Sequence, residues 1–253
     1  MEMYIRYGQN VLCFDDYESM CNQIAEEIVC NLQKNPKQLL CIAAGHTSLA
    51  VLRGLVHRFF DGKVDFSMAS FVAMDEWGGM DADTEGSCGW FLTENFLKKV
   101  NYKKENVFLW NGKSKNQVAE CCKALDFINR RGAIDYLVLG VGMNGHLALN
   151  EPGTGLDSTA RVVTLDSLTA AVGQKYFNKS VCLKHGLTLG LSDFARAKRI
   201  VLTVSGVKKG HILKRILDAT AFEPSIPATA LLTYQNASIY FDRDAWMICE
   251  KEG

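Results

Sequence analysis

Short apolar runs alternate with stretches of helical periodicity along the 253-residue chain. Apolar residues three and four positions apart predict helices over 49–60, 89–100, 117–131 and 208–219. Apolar runs of strand length predict strands over 39–44, 66–74, 107–110, 134–141, 162–165, 200–204 and 230–233, followed by a hairpin-like segment over 234–241. This alternation predicts an α/β fold, a mostly parallel sheet flanked by helices in a Rossmann-like three-layer sandwich.

The composition of the chain excludes several classes of protein and partner. Hydrophobic residues make up 48% of the chain, enough for one large core, and we expect residues 1–253 to form a single domain. Twenty-eight basic residues balance twenty-eight acidic ones, so no bulk charge attracts nucleic acid or an anionic membrane. No apolar run approaches the roughly 20 residues that span a bilayer. We therefore expect a cytoplasmic protein with neither nucleic-acid nor membrane partners.

The cysteines and histidines give no signal for a metal site. Nine cysteines are scattered through the chain without a C-x-x-C pair, and we interpret them as reduced thiols. The five histidines are widely dispersed, whereas a structural zinc site needs clustered ligands. We expect no bound metal.

Ligands of open parallel sheets gather beyond the carboxyl ends of the strands, and the first candidate cluster, A-A-G-H-T-S over 43–48, lies at such a place. Gly45 lets backbone amides approach an anion, and Thr47 or Ser48 can cap the next helix. The segment suits a single phosphate and lacks the Walker lysine and the dinucleotide glycine pattern, which argues against ATP and NAD. An ordinary capped helix start would show the same residues.

The second cluster, A-M-D-E-W over 73–77, places two carboxylates at the end of an apolar strand. A carboxylate backed by core can remove a carbon-bound proton, a step for which general-base catalysis gives about 10²–10⁴-fold. A solvated turn after a strand is the competing interpretation.

The third cluster, G-V-G-M-N-G-H-L-A-L-N-E-P-G over 140–153, is the most specific pattern in the chain. Its glycines surround His146, which can carry a proton near neutral pH, and Asn144 or Glu151 can fix its orientation. A structural histidine is the alternative, and the glycines and the nearby acid argue against it.

Basic residues that could bind a phosphate come later in the sequence. Lys175, Lys184 with His185, and Lys208 with Lys209 are the candidates, and each could equally be a solvated surface residue. Lys209 is favoured because it lies where a strand ends and a helix begins, so its charge adds to the helix N-terminal amides.

Taken in order, M-D-E-W, G-M-N-G-H-L-A-L-N-E-P-G and S-G-V-K-K-G resemble the glucosamine-6-phosphate deaminase and isomerase family, whose relatives include the 6-phosphogluconolactonases. The resemblance runs over about residues 25–241. The G-H-x-x-x-N-E-P run is typical of the deaminases, whereas the lactonases usually continue differently after the histidine.

The resemblance implies roles for four catalytic residues. Asp75 would be the base that moves a proton between C2 and C1. His146 would open the sugar ring by protonating its oxygen, and Glu151 would support that histidine. Asn144 falls where many members have aspartate.

The resemblance also implies a phosphate site. The phosphate loop would consist of Ala44, Gly45, His46 and Thr47, although the usual loop has a threonine and a second glycine where Ala44 and His46 stand. Lys209 matches the phosphate-binding lysine. Lys175 replaces an arginine found in many members and offers a point charge instead of bidentate geometry.

The implied reaction is the isomerisation and deamination of an amino-sugar 6-phosphate, with hydrolysis of the C–N bond, no cofactor and a small phosphosugar as the only required partner. A homo-oligomer is left open. Trp77 and the G-S-C run over 86–88 are more like members assigned to galactosamine 6-phosphate than like those assigned to glucosamine 6-phosphate. Val163 stands near the position where allosteric members have a basic residue, which argues against activation by N-acetylglucosamine 6-phosphate. Two alternatives remain: a 6-phosphogluconolactonase, and a sugar-phosphate sensor of the kind found in transcription regulators, which usually carry an N-terminal helix-turn-helix.

Overall fold

The computed structural model describes residues 2–6 and 9–251. Eleven strands occur in this part of the chain: β1 (Glu2–Arg6), β2 (Gln9–Phe14), β3 (Leu39–Ile42), β4 (Ser70–Val72), β5 (Asp75–Trp77), β6 (Val107–Phe108), β7 (Tyr136–Gly140), β8 (Arg161–Thr164), β9 (His185–Thr188), β10 (Ile200–Val204) and β11 (Ala237–Asp242). Eight α-helices accompany them: α1 (Tyr17–Lys34), α2 (His46–Phe60), α3 (Cys88–Asn95), α4 (Gln117–Asn129), α5 (Ser167–Gly173), α6 (Leu191–Ala195), α7 (Gly210–Asp218) and α8 (Arg243–Lys251).

The main sheet has the strand order β1-β2-β11-β10-β7-β3-β4-β6. Seven of these strands run parallel, and β1 pairs antiparallel with β2 at one edge. Every residue of β3, β10 and β11 is buried. Because successive side chains point to opposite faces of a strand, helices must cover both faces of the sheet centre. The predicted α/β class, a mostly parallel sheet flanked by helices, is confirmed.

The helices bury apolar stripes against this sheet. Helix α1 begins at the N-cap Asp16, whose carboxylate accepts the Ser19 amide at 2.7 Å. Its buried residues recur at three- and four-residue spacing: Met20, Cys21, Ile24, Ala25, Ile28, Val29 and Leu32. Helix α1 packs on α2 and β11, and α7 packs on α8. None of the helices in the described part of the chain is long and apolar enough to span a membrane.

Most predicted elements are present, usually with shorter bounds, although α2 begins at His46 and not at residue 49. Helices predicted over 49–60, 117–131 and 208–219 correspond to α2, α4 and α7. The helix predicted over 89–100 is α3 followed by a 3₁₀ turn over Leu97–Lys99. The strand predicted over 200–204 is β10 at the same bounds.

A second, three-stranded antiparallel sheet in the order β5-β9-β8 was not predicted. The apolar run over 66–74 is not one strand. Its main-sheet strand ends at Val72, and the Ala73 carbonyl then accepts the Trp110 indole N–H at 2.8 Å. The chain then enters β5, where Asp75 lies opposite Thr188. The run over 162–165 was expected in the parallel sheet and belongs to β8 of this second sheet.

The predicted strand over 230–233 is wrong. This segment is part of a 3₁₀ helix over Pro227–Thr233, with proline in its first turn. The Thr229 hydroxyl donates to the Ile226 carbonyl at 2.7 Å, and the Ala228 amide donates to the Gly145 carbonyl at 2.9 Å. The run is apolar because it is buried, and a short buried run looks the same whether it is a strand or a helix.

The hairpin-like segment over 234–241 is also wrong. After a turn at Tyr234, the chain forms β11, which runs parallel to β10 on one side and to β2 on the other. A central parallel strand is buried on both faces and carries no alternation that would separate it from a hairpin arm.

The order of strands places the predicted clusters side by side. β10, β7 and β3 are neighbours in the parallel sheet, so their carboxyl ends lie at one edge. The segment over 43–48 follows β3, the glycine-rich segment follows β7, and Lys209 follows β10. The next strand outward, β4, leads into β5 and Asp75.

Candidate active site

A cavity of about 500 Å³ opens at this edge of the sheet. It brings together nine of the ten predicted site residues: Ala44, Gly45, His46, Thr47, Asp75, Asn144, His146, Lys175 and Lys209. Glu151, the tenth, lies behind His146 and not on the cavity wall. Asp75 and His146 therefore face the same space, as the sequence predicted.

Asp75 is a nearly buried carboxylate on the cavity wall, with 9% of its surface exposed. Burial raises its pKa to about 6. The Cys88 thiol and the charge of His146 act on this pKa in the opposite direction, since both favour the ionised form. The carboxyl group is therefore a stronger base than an exposed aspartate and is still ionised at neutral pH.

Glu76 points away from the cavity and holds the start of α3. Its carboxylate accepts the amides of Trp77 at 2.8 Å, Cys88 at 3.0 Å and Gly89 at 2.8 Å. Burial raises its pKa to about 7, against the lowering effect of these hydrogen bonds. The two adjacent acids thus differ in position: Asp75 faces the cavity, and Glu76 fixes the helix beside it.

The glycines around His146 are needed where the imidazole lies against the backbone. A Cβ added to Gly142 would come within 2.2 Å of the His146 ring. Gly145 has a φ of 87°, and its carbonyl accepts an amide from the 3₁₀ helix Pro227–Thr233. Within the loop, the Gly142 amide donates to the His146 carbonyl at 2.9 Å. The loop is a fixed cradle for one imidazole.

Two side chains contact Nδ1 of His146, and a third is hydrogen-bonded to one of them. The Thr169 hydroxyl lies 3.1 Å from Nδ1 and Oε2 of Glu151 lies 3.5 Å from it. Asn144 donates from its amide to the same Glu151 oxygen at 3.0 Å. Burial acts to raise the pKa of Glu151, but hydrogen bonds with His146, Thr169 and Asn144 and the charge of His146 leave it below its usual value. The predicted association of Asn144 and Glu151 with His146 is therefore present, and the contribution of Thr169 was missed.

The loop after β3 turns sharply at Gly45, the N-cap of α2, where φ is 154°. A Cβ there would lie 3.2 Å from the Tyr176 hydroxyl. The prediction that Thr47 or Ser48 caps α2 is wrong: the Ser48 hydroxyl donates to the carbonyls of Ala43 and Gly45. The N-cap Gly45 has no side chain that could accept a hydrogen bond. No side chain therefore caps the first amides of α2.

The loop is also held from α1 and covered by aromatic rings. The Tyr17 hydroxyl donates to the His46 carbonyl at 2.7 Å and accepts the Ala50 amide at 3.0 Å. The His46 ring stacks on Tyr176 with centroids 5.4 Å apart. Burial, then the charge of Lys175, lowers the pKa of His46, which favours a neutral imidazole at this position.

Three lysines line the same end of the cavity: Lys175, Lys208 and Lys209. The Lys209 ammonium donates to the Val141 carbonyl at 2.5 Å, and burial, with help from nearby Lys175, lowers its pKa to about 8. Burial, then the charge of Lys208, lowers the pKa of Lys175. The predicted preference for Lys209 agrees with its position, whereas Lys184 and His185 are not on the cavity wall.

Other cavity residues were not predicted to be part of the site. Tyr176, Thr169 and Cys88 carry polar groups on the wall. Thr169 lies in α5, and no motif in the sequence around it indicates a site residue. Cys88 belongs to the G-S-C run, which resembles members assigned to galactosamine 6-phosphate. Trp77 and residues 86–88, the positions of that resemblance, all line the cavity.

Comparisons with known proteins identify a family for this chain. A profile of the family described as glucosamine-6-phosphate isomerases/6-phosphogluconolactonase matches residues 16–240. The chain is 32% identical over 231 residues to the glucosamine-6-phosphate deaminase of Thermoanaerobacter sp. (strain X514), an alignment that covers 91% of both chains. It is 33% identical over 227 residues to the corresponding deaminase of Lysinibacillus sphaericus (strain C3-41), covering 89% of this chain and 95% of that one.

Solved structures of proteins named as deaminases and 6-phosphogluconolactonases also match this chain. A monomeric glucosamine-6-phosphate deaminase matches with a TM-score of 0.90 at 28% identity, covering 94% of this chain and 99% of that chain. A 6-phosphogluconolactonase from Thermotoga maritima matches with a TM-score of 0.71 at 18% identity, covering 92% and 98% of the two chains, a likeness of fold alone.

Proposed function

Because the chain belongs to the family of glucosamine-6-phosphate isomerases and 6-phosphogluconolactonases, we propose that it isomerises and deaminates an amino-sugar 6-phosphate to a ketohexose 6-phosphate and ammonia. One observation carries the proposal. A single cavity has a buried carboxylate, Asp75, and a histidine supported by an acid, His146, on its wall, with three lysines at one end.

The phosphate occupies the end formed by the loop 44–47 and Lys209. The uncapped amides at the start of α2 and the ammonium groups of Lys175 and Lys209 supply donors and positive charge for a dianion. The phosphate is remote from the reacting carbons. Its binding energy accelerates the reaction by holding C1 and C2 in a fixed position against the catalytic groups.

His146 opens the ring by donating a proton to the ring oxygen. Glu151 and Thr169 at Nδ1 hold the imidazole in one orientation, with its other ring nitrogen left for the transfer. The Asn144 amide donates a hydrogen bond to Glu151, and because this amide is neutral it adds no negative charge beside His146.

Asp75 then takes the proton from C2 and returns it to C1, while the C1 oxygen gains a proton and the C2 nitrogen gives one up. C1 falls from the aldehyde to the alcohol level while C2 rises to an imine, so the isomerisation needs no external oxidant or reductant. Water adds to C2 and expels ammonia, leaving the ketone. One water is consumed and one ammonia is released, which makes the net reaction a C–N hydrolysis without a cofactor or a metal.

The choice between glucosamine and galactosamine 6-phosphate is a finer proposal. Trp77 and residues 86–88 line the cavity, where they could contact the sugar, and their resemblance to galactosamine-assigned members favours tagatose 6-phosphate as the product. The relatives named above are glucosamine-6-phosphate deaminases. Both epimers are therefore substrates to test.

Location and assembly are also proposals. The nine cysteines, all in the described part of the chain, form no disulfide bond there, and we infer a reducing cytoplasm as the location. The relative with the TM-score of 0.90 is described as monomeric, and a homo-oligomer of this chain stays a prediction.

A side-by-side assay tests the proposed reaction. The purified protein is given glucosamine 6-phosphate, galactosamine 6-phosphate and 6-phosphogluconolactone, and ammonia, ketose phosphate and lactone are followed together. We expect ammonia and ketose phosphate in equal amounts from at least one amino sugar. Rapid lactone cleavage without ammonia would identify a lactonase, and binding of the sugars without turnover of any of the three would identify a sensor.

Gly142→Ala should disable His146 without unfolding the protein. The new methyl group would overlap the imidazole, so the ring must move, and a displacement of about 1 Å costs roughly 100-fold in kcat. Gly140→Ala is the control for lost cavity space, because Gly140 also lines the cavity and a Cβ there meets no atom within 4 Å, the imidazole included. Kinetics and melting temperature are measured for both variants. Equal kcat in the two variants would show that the position of the ring is unimportant.

A further inference from the structure

Asp242 is a buried carboxylate that the proposed reaction does not use. It is the last residue of β11, and 2% of its surface is exposed. Strand β11 runs parallel to β10, and Asp242 follows directly after the residue that pairs with Val204, the last residue of β10. The carboxylate therefore lies at the edge of the sheet that carries the cavity, beside the loop that follows β10.

The two oxygens of Asp242 accept hydrogen bonds from three groups. Oδ1 accepts the Gly206 amide at 3.0 Å and the Ala245 amide at 2.9 Å. Oδ2 accepts the Ser205 hydroxyl and lies 3.2 Å from the same Gly206 amide. One carboxylate thus joins the loop after β10 to the start of α8.

Capping of α8 uses only part of this carboxylate. Asp242 directly precedes α8, and Ala245 is the third residue of that helix, so the bond from the Ala245 amide is that of an ordinary N-cap. A serine or an asparagine would provide the same cap with a single oxygen, and either is less costly to bury than a carboxylate. The second oxygen and the Gly206 contacts hold the loop and not the helix.

The loop held in this way leads directly to Lys209. Gly206 has a φ of 84°, a conformation that favours glycine, and it precedes the 3₁₀ turn Val207–Lys209. Its carbonyl accepts the Lys209 amide at 2.9 Å. At the far end of the same side chain, the Lys209 ammonium donates to the Val141 carbonyl on the cavity wall. The position of the loop therefore decides where this ammonium lies.

Helix α8 supports the same region from behind. A Cβ added to Gly210, the first residue of α7, would come within 2.5 Å of the Ile248 side chain and 2.9 Å of the Ala245 carbonyl. The start of α7 therefore lies directly against α8. Asp242 holds both neighbours of Lys209, the loop before it and the helix behind it.

We propose that Asp242 is a positioning residue for Lys209: its carboxylate fixes the loop over 205–209 so that the Lys209 ammonium is held at the phosphate end of the cavity. The proposal rests on the proposed function, in which Lys209 binds the phosphate of the substrate. Asp242 is not on the cavity wall, so it acts through Ser205 and Gly206.

The reactivity of Lys209 toward an amine reagent tests the position of its ammonium without turnover. Burial, and then the charge of Lys175, lowers the pKa of Lys209 to about 8, and Lys208 lies at the same end of the cavity. Trace acetylation with acetic anhydride over a range of pH, followed by mass spectrometry of the Lys209 peptide, gives this pKa as the midpoint of the rate profile. If Asp242→Ala releases the loop, the ammonium reaches solvent and the midpoint should rise by about one to two units. Loss of the negative charge alone would lower it.

Two further variants separate the loop from the cap and from the charge. Ser205→Ala removes one bond on the loop side and keeps the cap of α8, so the midpoint should rise by a smaller amount. Asp242→Asn keeps Oδ1 for both amides, and its NH₂ group can donate to the Ser205 hydroxyl, so the midpoint should stay near that of the wild type. If Asp242→Ala does not fold, Ser205→Ala decides whether the loop positions Lys209.

Kinetics measure the effect of this position on the substrate. The preference for the phosphorylated over the unphosphorylated amino sugar, taken as a ratio of kcat/KM values, should fall roughly tenfold in Asp242→Ala because a hydrogen bond to a charged group is weakened. KM should change more than kcat. Asn116→Ala is the matched control: Asn116 caps α4 by accepting the Ala119 amide at 2.9 Å and is not on the cavity wall. It should lower the melting temperature and keep the preference.

A Lys209 midpoint that stays at the wild-type pH, or moves to lower pH, in both Asp242→Ala and Ser205→Ala would overturn the proposal. An equal loss of phosphate preference in Asn116→Ala would also overturn it, since any lost cap would then have the same effect. If no amino sugar yields ammonia, the proposed function fails, and the acetylation profile still decides whether Asp242 positions Lys209.

Discussion

Asp75→Asn should lose about 10²–10⁴-fold in kcat while still binding the phosphosugar. Asparagine has nearly the same shape but cannot accept the C2 proton. The phosphate-binding residues lie at another part of the cavity and are unchanged, so the dissociation constant for substrate should vary little. Single-turnover kinetics and direct titration of the phosphosugar separate the two quantities.

The same substitution should stabilise the fold at neutral pH. Burial raises the pKa of Asp75 from 3.8 to about 6, so the folded state prefers the protonated carboxyl group. The folded protein therefore loses stability as pH rises from about 4 to about 6, and an asparagine avoids this loss. Above pH 6 the free energy of unfolding of Asp75→Asn should exceed that of the wild type by on the order of 2 kcal/mol.

Denaturant titrations between pH 4 and pH 8 measure this difference. The advantage of Asp75→Asn should grow across the interval from about 4 to about 6 and then stay constant. Asp83→Asn, an exposed acid outside the cavity, should alter neither stability nor turnover. An Asp75→Asn protein with wild-type turnover would remove this residue from the mechanism. The difference in unfolding free energy between Asp75→Asn and wild type should be larger at pH 7.5 than at pH 4. A smaller difference at pH 7.5 would contradict the cost of burying the ionised Asp75.

Lys209→Ala should lower kcat/KM for the phosphosugar by roughly 10- to 100-fold, since a hydrogen bond to a charged group contributes about 1.5–3 kcal/mol. The effect should depend on the phosphate. With the unphosphorylated amino sugar as substrate, wild type and variant should be nearly equal, so the preference for the phosphorylated substrate should shrink by the same factor.

Comparison with Lys184→Ala makes this test specific, because that lysine is exposed and not on the cavity wall. In the wild type, KM should rise above a pH of about 8, where Lys209 loses its proton. If Lys209→Ala kept the full preference for the phosphorylated sugar, the phosphate would have to bind elsewhere.

The parallel core was predictable from the sequence, because strands buried on both faces have continuous apolar runs bounded by helices. β3, β7 and β10 all showed this pattern. β2, which lies between the edge strand β1 and β11, has a mixed sequence and was missed. The Pro227–Thr233 helix was mistaken for a strand because burial, and not strand geometry, sets its composition.

The second sheet could not be predicted from local pattern. β5 has three residues, and its pairing with β9 joins positions more than 100 residues apart. The sequence identified Asp75 as a strand-end acid. It did not show that the chain leaves the main sheet after Val72 and turns this acid into the cavity.

The positions of the site residues followed from one rule and one resemblance. The loops that follow neighbouring parallel strands lie at the same edge of the sheet. This rule explains why Gly45, His146 and Lys209 line one cavity. Contacts made through space, such as Thr169 with His146 and Tyr17 with the His46 carbonyl, have no fixed spacing in the sequence. They required the fold.

A crystal structure of Asp75→Asn with glucosamine 6-phosphate tests the proposed arrangement most directly, because the inactive variant should retain the unreacted sugar. We expect the phosphate beside Gly45 and Lys209, C2 within about 3.5 Å of the residue 75 side chain, and the ring oxygen near His146. A phosphate bound away from this lysine, or C1 and C2 on the far side of the cavity from residue 75, would contradict the arrangement.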